Sequence, residues 1–517
     1  MKQGERREVI DSRFLQTCDI PAGPARIDPF TLVIFGATGS LNRLKLMPSL
    51  FQLFQNNDLS ERFSILGFGR TELKEEEFRA LMKESVTKSA VEPISSSQWE
   101  EFGRHLYYMP GNVDDGVTMK RLSDRLESLS VRTDMGNKKV IYYMAVPPET
   151  TIEIVKRLKE CKMCIGPFST KIMVEKPFGV NGATARKLNA MLREAFAEEQ
   201  IYRTDHYLGK EPVQNIMFFR FTNTIFEQLW NWRCIENVQI TIAEDIGIEH
   251  RGEFYEKAGI LRDIVQNHAL QLIGMIAMEP PVGFTADYIR DEKMKVFRSI
   301  RPMDNAYIDR FMVRGQYGSG NLKGMDTVSY REEEKVAPSS VTPTFFAGKF
   351  HIDNLRWASV PFYVRTGKRL KRQVTEICIQ FRQLPLRLFG RTCDVMEPNV
   401  LVLTVKPDEN ISLRFGVKSP YAQNQIYTAK MDFNYREVFS RAHQSAYGRL
   451  LTDCMKGDLT LFVREDMVEI MWDVIDPVIE RWDSMPPQDF PNYNAGSWGP
   501  AEADRLIELD GQHWLTI

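Results

Sequence analysis

The sequence has no run of eighteen or more apolar residues, so it contains no predicted membrane-spanning helix. Its first stretch, MKQGERREVIDSRF, lacks the apolar segment of a secretion signal, which leads us to expect a cytoplasmic protein. Net charge is almost absent as well, because 67 basic and 69 acidic residues leave only −2. Such a balance argues against nucleic acid or an anionic membrane as partner. An anionic ligand would need a local cluster of basic residues.

Cysteine and histidine are both scarce, with seven of each in 517 residues. An odd, scattered set of cysteines favours a reducing compartment over a disulfide framework. Cys161 and Cys164 form one CxxC pair without a second pair at metal-binding spacing, so we interpret them as two thiols at a helix end. A zinc or redox site is the less favoured alternative, and we predict no metal.

Residues 30–205 are predicted to form a Rossmann-like α/β domain, after an extended leader over residues 1–29. Continuous apolar runs, typical of parallel strands buried on both faces, alternate here with helical segments. These runs are TLVIFGA, FSILGFG, KVIYYMAVP and TKIMVEKPF. The alternation indicates a doubly wound parallel sheet.

Residues 206–517 are predicted to form an α+β domain with a large, mainly antiparallel sheet. Strand-like runs follow one another with few helices between them. They are NVQITIAED, APSSVTPTFFAGKFHID, VPFYVRTGK, VTEICIQF, NVLVLTVKP and ISLRFGVKS. Helices are predicted over 259–278 and from about 446 to 482.

A dinucleotide site is predicted where the first apolar run meets the next helix. Gly36 and Gly39 allow a pyrophosphate to approach the backbone at a helix N-terminus, and Lys45 adds charge nearby. The GxxG spacing is weak evidence by itself, and its position after a strand supports it. Arg70 and Thr71 end the second run, where a guanidinium and a hydroxyl suit the 2′-phosphate of NADP better than a bare ribose. A solvated arginine is the alternative.

Lys176, in VEKPFG, ends another predicted parallel strand. Ligands of this fold class bind at that edge of the sheet. The proline that follows favours extended geometry at Lys176, which would hold the lysine at the strand end. A surface lysine is the alternative interpretation.

Charged and aromatic residues are crowded in IYRTDHYLGKE, residues 201–211. If a helical turn begins near His206, then His206 and Lys210 share a face and form a cradle for one phosphate. Asp205 points elsewhere and is available to orient an imidazole. His268 is the candidate, because it lies on an apolar predicted helix with Asp263, roughly 140° away, so that the two flank a site. Asp205 would fix its tautomer and raise its basicity; a satisfied core histidine is the alternative.

Seven sequence blocks together resemble the glucose-6-phosphate dehydrogenase family. In chain order they are GATGSL, VEKPFG, IYRTDHYLGKEPVQNIMFFRF, RDIVQNHALQ, VPFYVRTGKRL, SAYGRLLTDCMKGDLTLFVREDMVE and GSWGPAEADRL. The resemblance covers nearly the whole chain, and the RxDHYLGKE block is its most specific part. It implies oxidation of glucose 6-phosphate at C1 to 6-phosphogluconolactone, with NADP as hydride acceptor, no metal, and a homodimer or homotetramer.

The resemblance also implies a role for each matching residue. His268 corresponds to the general base and Asp205 to the carboxylate that orients it. The implied substrate-binding residues are Lys176, His206, Tyr207, Lys210, Glu244, Asp263 and Lys368. The expected cofactor-binding residues are Gly36, Gly39, Ser40, Lys45, Arg70, Thr71 and Lys176. The peptide bond between Lys176 and Pro177 is expected to be cis.

The sequence departs from the family at Ser40, where aspartate is usual, and at Thr204, where an apolar residue is usual. The first departure leaves the degree of NADP preference open, and the second is expected to affect packing. GKRLKR leaves open a second, structural NADP site. Two rival interpretations are another NAD(P)-dependent sugar oxidoreductase, against which the DHYLGK block argues, and a catalytically silent dinucleotide sensor or scaffold, which would not need Asp205 and His268.

Overall fold

A computed structural model describes residues 27–90, 93–132, 138–164, 168–384, 397–421, 425–438 and 444–515. Two large sheets dominate these ranges. No helix within them is both long and apolar enough to cross a membrane. Most of the predicted leader, residues 1–26, lies outside the described residues.

The N-terminal sheet of the described chain has six parallel strands in the order β3-β2-β1-β4-β5-β6. The strands are β1 (Phe30–Phe35), β2 (Phe63–Gly69), β3 (Leu106–Pro110), β4 (Lys138–Met144), β5 (Phe168–Glu175) and β6 (Ile201–Thr204). Every residue of β1 is buried, and successive side chains of a strand point to opposite faces, so this sheet is covered on both sides. The doubly wound α/β prediction is confirmed.

Helices connect these strands, and the first of them begins shortly after the glycine turn. They are α1 (Met47–Gln55), α2 (Glu75–Ser89), α3 (Ser96–Gly103), α4 (Gly116–Arg132), α5 (Pro148–Glu160) and α6 (Gly182–Ala195). A π-helical segment over Asn42–Leu46 precedes α1, and the buried amide of Asn42 donates to the carbonyl of Ala37 at 2.6 Å. This bond fixes the glycine turn against the helix start.

The second large sheet has eight strands in the order β17-β16-β15-β14-β7-β13-β12-β8 within the described ranges. It is mainly antiparallel, as predicted, with one parallel pair between β7 and β13. The strands after β6 are β7 (Ile235–Ala243), β8 (Met312–Gly315), β9 (Tyr317–Gly318), β10 (Gly320–Leu322), β11 (Met325–Thr327), β12 (Phe345–His351), β13 (Pro361–Gly367), β14 (Val374–Phe381), β15 (Val400–Lys406), β16 (Asn410–Lys418), β17 (Ile426–Asn434) and β18 (Tyr493–Asn494). Strands β8 and β17 of this sheet were not predicted, and neither were the short strands β9, β10, β11 and β18, which form two separate two-stranded sheets.

The described part of this half also contains ten helices. They are α7 (Glu211–Phe221), α8 (Thr224–Glu227), α9 (Gly252–Ile260), α10 (Leu270–Ala277), α11 (Ala286–Ser299), α12 (Asn305–Phe311), α13 (Tyr435–Val438), α14 (Ala446–Lys456), α15 (Glu465–Ser484) and α16 (Ala501–Glu508). One buried apolar cluster extends from β1 to α15. The crowded segment 205–210 joins β6 to α7 and therefore lies between the two sheets.

Candidate active site

His268 and Asp205 come together at the junction of the two sheets. His268 Nδ1 lies 2.5 Å from Asp205 Oδ1, and both side chains are 1% exposed. The same carboxylate oxygen accepts the backbone N–H of Tyr207 at 2.9 Å. Donation from Nδ1 fixes the imidazole tautomer and leaves the lone pair of Nε2 available for a proton.

The ionisation of this pair is set mainly by burial. Burial lowers the pKa of His268 to about 4, although the Asp205 carboxylate acts in the opposite direction. Asp205 does raise the basicity of His268, as predicted, but lost hydration lowers the pKa by more than this ion pair raises it. Burial would raise the pKa of Asp205, but the charge of His268 and their hydrogen bond outweigh it and hold that pKa below its usual value. A neutral imidazole beside a carboxylate is the state at neutral pH.

A π-helical segment, Leu261–Ala269, carries both Asp263 and His268 between α9 and α10. Gly259 precedes it with a φ of +58°, which permits the kink at the end of α9. Hydrogen bonds in a π-helix join residues five apart, so positions 263 and 268 lie one turn apart on the same side. The predicted separation of roughly 140° is wrong, since it assumed an α-helix.

His206, Tyr207 and Lys210 cluster near the imidazole of His268. The Tyr207 ring stacks on His268 with centroids 4.1 Å apart, and the His206 ring meets it edge-on at 4.5 Å. Lys210 Nζ lies 3.5 Å from the centroid of the Tyr207 ring. Two hydrogen-bonded turns bring these side chains together: the N–H of Leu208 donates to the carbonyl of Asp205 at 3.0 Å, and that of Lys210 donates to the carbonyl of Tyr207 at 3.1 Å. Helix α7 begins only at Glu211.

The Lys210 ammonium is buried and has no hydrogen-bond partner in the described part of the chain. Burial and then the nearby charge of Lys406 lower its pKa to about 7. Burial also lowers the pKa of His206 well below its usual value. A buried amine without an acceptor favours an anionic ligand, which would accept its hydrogen bonds and restore its charge.

A second cluster consists of two lysines and two carboxylates. Lys176 Nζ donates to the backbone oxygen of Asp263 at 2.5 Å and lies 3.2 Å from its Oδ1. Lys368 Nζ lies 2.9 Å from Asp263 Oδ2 and also donates to Glu244. Burial would raise the pKa of Asp263, but Lys368 and Lys176 hold it far below its usual value. Alternating donors and acceptors of this kind suit the hydroxyl groups of a sugar.

A cleft of about 580 Å³ lies along the carboxyl ends of β1, β2 and β4. Gly36, Gly39, Arg70 and Thr71 all line it, as the cofactor prediction requires. Gly36 has a φ of +82°, and a Cβ there would lie 2.4 Å from the carbonyl oxygen of Ala145. Only glycine fits this position, because the turn after β1 packs directly against the backbone that follows β4.

Ser40 and Lys45 are exposed, and neither is among the described residues that line this cleft. Thr38 lines it, and its hydroxyl oxygen lies 3.3 Å from that of Thr71. Thr38 was not predicted, since the residues assigned to the cofactor in this turn were Gly36, Gly39 and Ser40. The peptide bond between Lys176 and the following proline is cis, as predicted.

Two further residues complete the site and were not predicted. The Thr375 hydroxyl, on β14, lies 3.2 Å from the hydroxyl of Tyr207. The Tyr447 ring, on α14, stacks on His206 with centroids 5.9 Å apart. Both come from elements distant in sequence. Tyr447 stands in the SAYGRLL block, but no role was predicted for it, and Thr375 stands in none of the seven blocks, so the topology assigns both to the site. Thr204 is buried in β6, where its hydroxyl donates to the backbone oxygen of Tyr202 at 3.4 Å.

Asp205, His206 and His268 also have the spacing of a metal site, since their ligand atoms lie within 4.8 Å of one another. However, Nδ1 of His268 and Oδ1 of Asp205 already bond to each other directly. This arrangement favours proton transfer over metal ligation. Cys161 and Cys164 are free thiols, and burial raises the pKa of Cys164 to about 12, which disfavours the thiolate needed for ligation.

The candidate site combines a cleft large enough for a dinucleotide with the neutral imidazole of His268. A carbon atom held between them could lose a hydride in one direction and its hydroxyl proton in the other. Open parallel sheets bind such cofactors at this carboxyl edge. The class defined by this fold and site is that of the nicotinamide-dependent oxidoreductases.

Comparison with known proteins identifies the family. The model for the NAD binding domain of glucose-6-phosphate dehydrogenase matches residues 33–215, and the model for its C-terminal domain matches residues 217–515. The chain belongs to the glucose-6-phosphate dehydrogenase family.

Individual relatives are similar over nearly their full length. The glucose-6-phosphate 1-dehydrogenase of Treponema pallidum is 44% identical over 95% of this chain and 96% of its own. That of Bacillus subtilis is 41% identical over 94% of this chain and 98% of its own. A solved glucose-6-phosphate dehydrogenase in complex with its substrate glucose-6-phosphate is 32% identical, with a TM-score of 0.86, over 95% of this chain and 100% of its own.

Proposed function

We propose that this protein oxidises glucose 6-phosphate at C1 to 6-phosphogluconolactone and reduces NADP. The observation that carries the proposal is the buried pair of His268 and Asp205 beside the ammonium of Lys210, which has no hydrogen-bond partner among the described residues. The pair supplies a proton acceptor, and the ammonium selects a phosphorylated substrate. Membership of the family supports the same substrate.

His268 is the general base in this proposal. Its Nε2 takes the proton of the C1 hydroxyl as the hydride leaves C1, so the C1–O bond becomes a double bond and positive charge on the sugar is relieved. Asp205 stabilises the imidazolium that forms, because its carboxylate already accepts from Nδ1. Burial keeps the imidazole neutral before the reaction.

The substrate is held at both ends. Lys210, with His206 and Tyr207, binds the phosphate, and this remote binding energy positions C1 in front of His268. The residues that bind the sugar hydroxyls are Lys176, Glu244, Asp263 and Lys368.

The cleft fits a nicotinamide dinucleotide. Gly36 and Gly39 line the cleft on the turn whose backbone would contact the pyrophosphate, and Arg70 with Thr71 provides a cation and a hydroxyl for the 2′-phosphate. NADP, when bound, accepts the hydride. Lys176 lies between this cleft and the sugar site, where its bond to Asp263 fixes its position.

Initial rates with two sugars and two cofactors test the proposal. We expect the highest kcat/KM with glucose 6-phosphate and NADP, a much lower value with glucose, and a lower value with NAD. Equal rates with glucose and its 6-phosphate would favour a different sugar oxidoreductase. No reduction of either cofactor would favour the silent sensor.

We further propose a homodimer or homotetramer. Strand β17 forms an outer edge of the eight-stranded sheet, and its Tyr427 and Met431 are 53% and 61% exposed. An edge strand with exposed apolar side chains favours pairing with another chain. Sedimentation at two protein concentrations would measure the state. We also propose an extended leader over residues 1–29, a domain boundary between residues 205 and 206, and a cytoplasmic location.

A further inference from the structure

Tyr255, on α9, is a buried tyrosine that has no role in the mechanism above. The residue is 1% exposed, and its hydroxyl oxygen has no hydrogen-bond partner among the residues that the structure describes. The neighbouring Tyr330, whose ring centroid lies 6.1 Å away, differs in that its hydroxyl donates to Glu256 at 2.6 Å. Because a buried hydroxyl without a partner costs free energy, we expect that of Tyr255 to bond to a group that the folded chain does not supply.

Tyr255 lies beside the cluster of lysines and carboxylates that binds the sugar hydroxyls in the proposal above. Lys368 Nζ is 5.4 Å from the centroid of the Tyr255 ring. The same ammonium lies 2.9 Å from Asp263 Oδ2 and also donates to Glu244. The charges of Asp263 and Glu244 both act on the Tyr255 hydroxyl and raise its pKa, although burial raises it more. The hydroxyl is therefore within electrostatic reach of both carboxylates.

The cluster provides no acceptor for the hydrogen of this hydroxyl. Each oxygen of Asp263 already faces a lysine, since Oδ1 lies 3.2 Å from Lys176 Nζ and Oδ2 lies 2.9 Å from Lys368 Nζ. Burial keeps the pKa of Tyr255 well above its usual value, so the hydroxyl retains its hydrogen and can donate. A sugar oxygen held in the same cluster would supply the acceptor.

We propose that Tyr255 donates its hydroxyl hydrogen to the oxygen of a hydroxyl group at C2, C3 or C4 of the sugar and so contributes to substrate specificity. The inference rests on the proposed function, because it concerns the same sugar site. A sugar hydroxyl can donate to a carboxylate and accept from a second group at the same time. Asp263 or Glu244 would accept from it, and Tyr255 would donate to it. A sugar without this hydroxyl would leave the buried tyrosine unpaired and bind more weakly.

Equilibrium binding of four sugar phosphates, without cofactor, tests the proposal in the wild type and in Tyr255→Phe. The ligands are glucose 6-phosphate and its 2-deoxy, 3-deoxy and 4-deoxy analogues. Phenylalanine keeps the ring beside Lys368 and removes only the oxygen. The variant should bind glucose 6-phosphate about fivefold or more weakly, since it lacks one hydrogen bond. For one analogue, which lacks the hydroxyl that Tyr255 binds, the wild type should bind no more than about twofold more tightly than the variant. The other two analogues should show the same loss as glucose 6-phosphate.

Tyr330→Phe is the matched control. It removes a hydroxyl from the neighbouring ring, but that hydroxyl already donates to Glu256. The control should therefore keep the wild-type ratios of the four dissociation constants. A folded Tyr255→Phe variant that binds glucose 6-phosphate as tightly as the wild type, or that shows an equal loss with all three analogues, would overturn the proposal. Oxidation of glucose 6-phosphate is scored separately, so a wild type with the expected binding but without turnover would count only against the proposed function.

Discussion

Replacing Lys210 by methionine should weaken phosphate recognition and raise stability at the same time. Methionine retains an apolar chain over the Tyr207 ring but removes the ammonium, which has no hydrogen-bond partner in the described chain. A buried charge without an acceptor costs free energy in the folded state. The same charge is what a phosphate needs for strong binding.

The size of the stability change follows from the pKa of Lys210, which burial lowers from 10.5 to about 7. A difference of about 3.5 pKa units, at about 1.36 kcal/mol each, corresponds to about 5 kcal/mol at neutral pH. Partial exposure of the Lys210 side chain to water screens its charge and reduces this free-energy cost to about 2–3 kcal/mol. Because the unfolded chain holds this proton more tightly, the cost grows as pH falls from 10.5 to about 7 and is constant below.

Two assays measure the two effects. With glucose 6-phosphate, kcat/KM of Lys210→Met should fall about a hundredfold or more, while turnover of glucose changes little. The midpoint of thermal unfolding at pH near 7 should rise by a few degrees, and added inorganic phosphate should raise it further only in the wild type. Lys187→Met, at an exposed lysine of α6, is the control. Equal losses on both sugars, or a lower midpoint, would refute the reasoning.

Three other outcomes are expected. Asp205→Asn should lower kcat by about 10²–10⁴ with little change in KM, because the amide does not hold His268 in the same tautomer; a normal kcat would contradict the orienting role. Arg70→Ala should raise the KM for NADP about tenfold and leave that for NAD unchanged; equal changes would exclude a 2′-phosphate contact. The wild-type kcat should be constant from pH 7 to 6 and fall towards the pKa of His268, about 4, because the base must be unprotonated. A fall centred near pH 7 would contradict this assignment.

The fold was largely predictable because burial leaves a clear pattern in most of its strands. All residues of β1 are apolar or small and buried, so TLVIF predicts a two-sided strand. Strand β17, IYTAKMDFN, was missed because it is an edge strand and mostly exposed. Its sequence therefore lacks the apolar pattern that buried strands show. The π-helical segment was also missed, because the apolar pattern around Asp263 and His268 resembles that of an α-helix.

The residues of the candidate site that lie in one sequence motif were predictable. Those that the fold brings to the site from distant strands and helices were less so. The pairing of Asp205 with His268, 63 positions apart, was inferred from the scarcity of histidine and is present at 2.5 Å. The net basicity of His268 was not predictable, because it depends on how completely the surrounding helices exclude water. The contacts of Thr375 and Tyr447 were not predictable, since these residues reach the site from a distant strand and helix; the SAYGRLL block contains Tyr447 but does not indicate what it contacts.

The central claim is that His268 accepts the proton of the C1 hydroxyl. Steady-state rates of NADPH formation from glucose 6-phosphate, measured for the wild type and His268→Asn, test it most directly. We predict that kcat of the variant falls by about 10²–10⁴ while KM for glucose 6-phosphate changes only modestly, because the phosphate contacts remain. A folded His268→Asn variant with kcat close to that of the wild type would contradict the account.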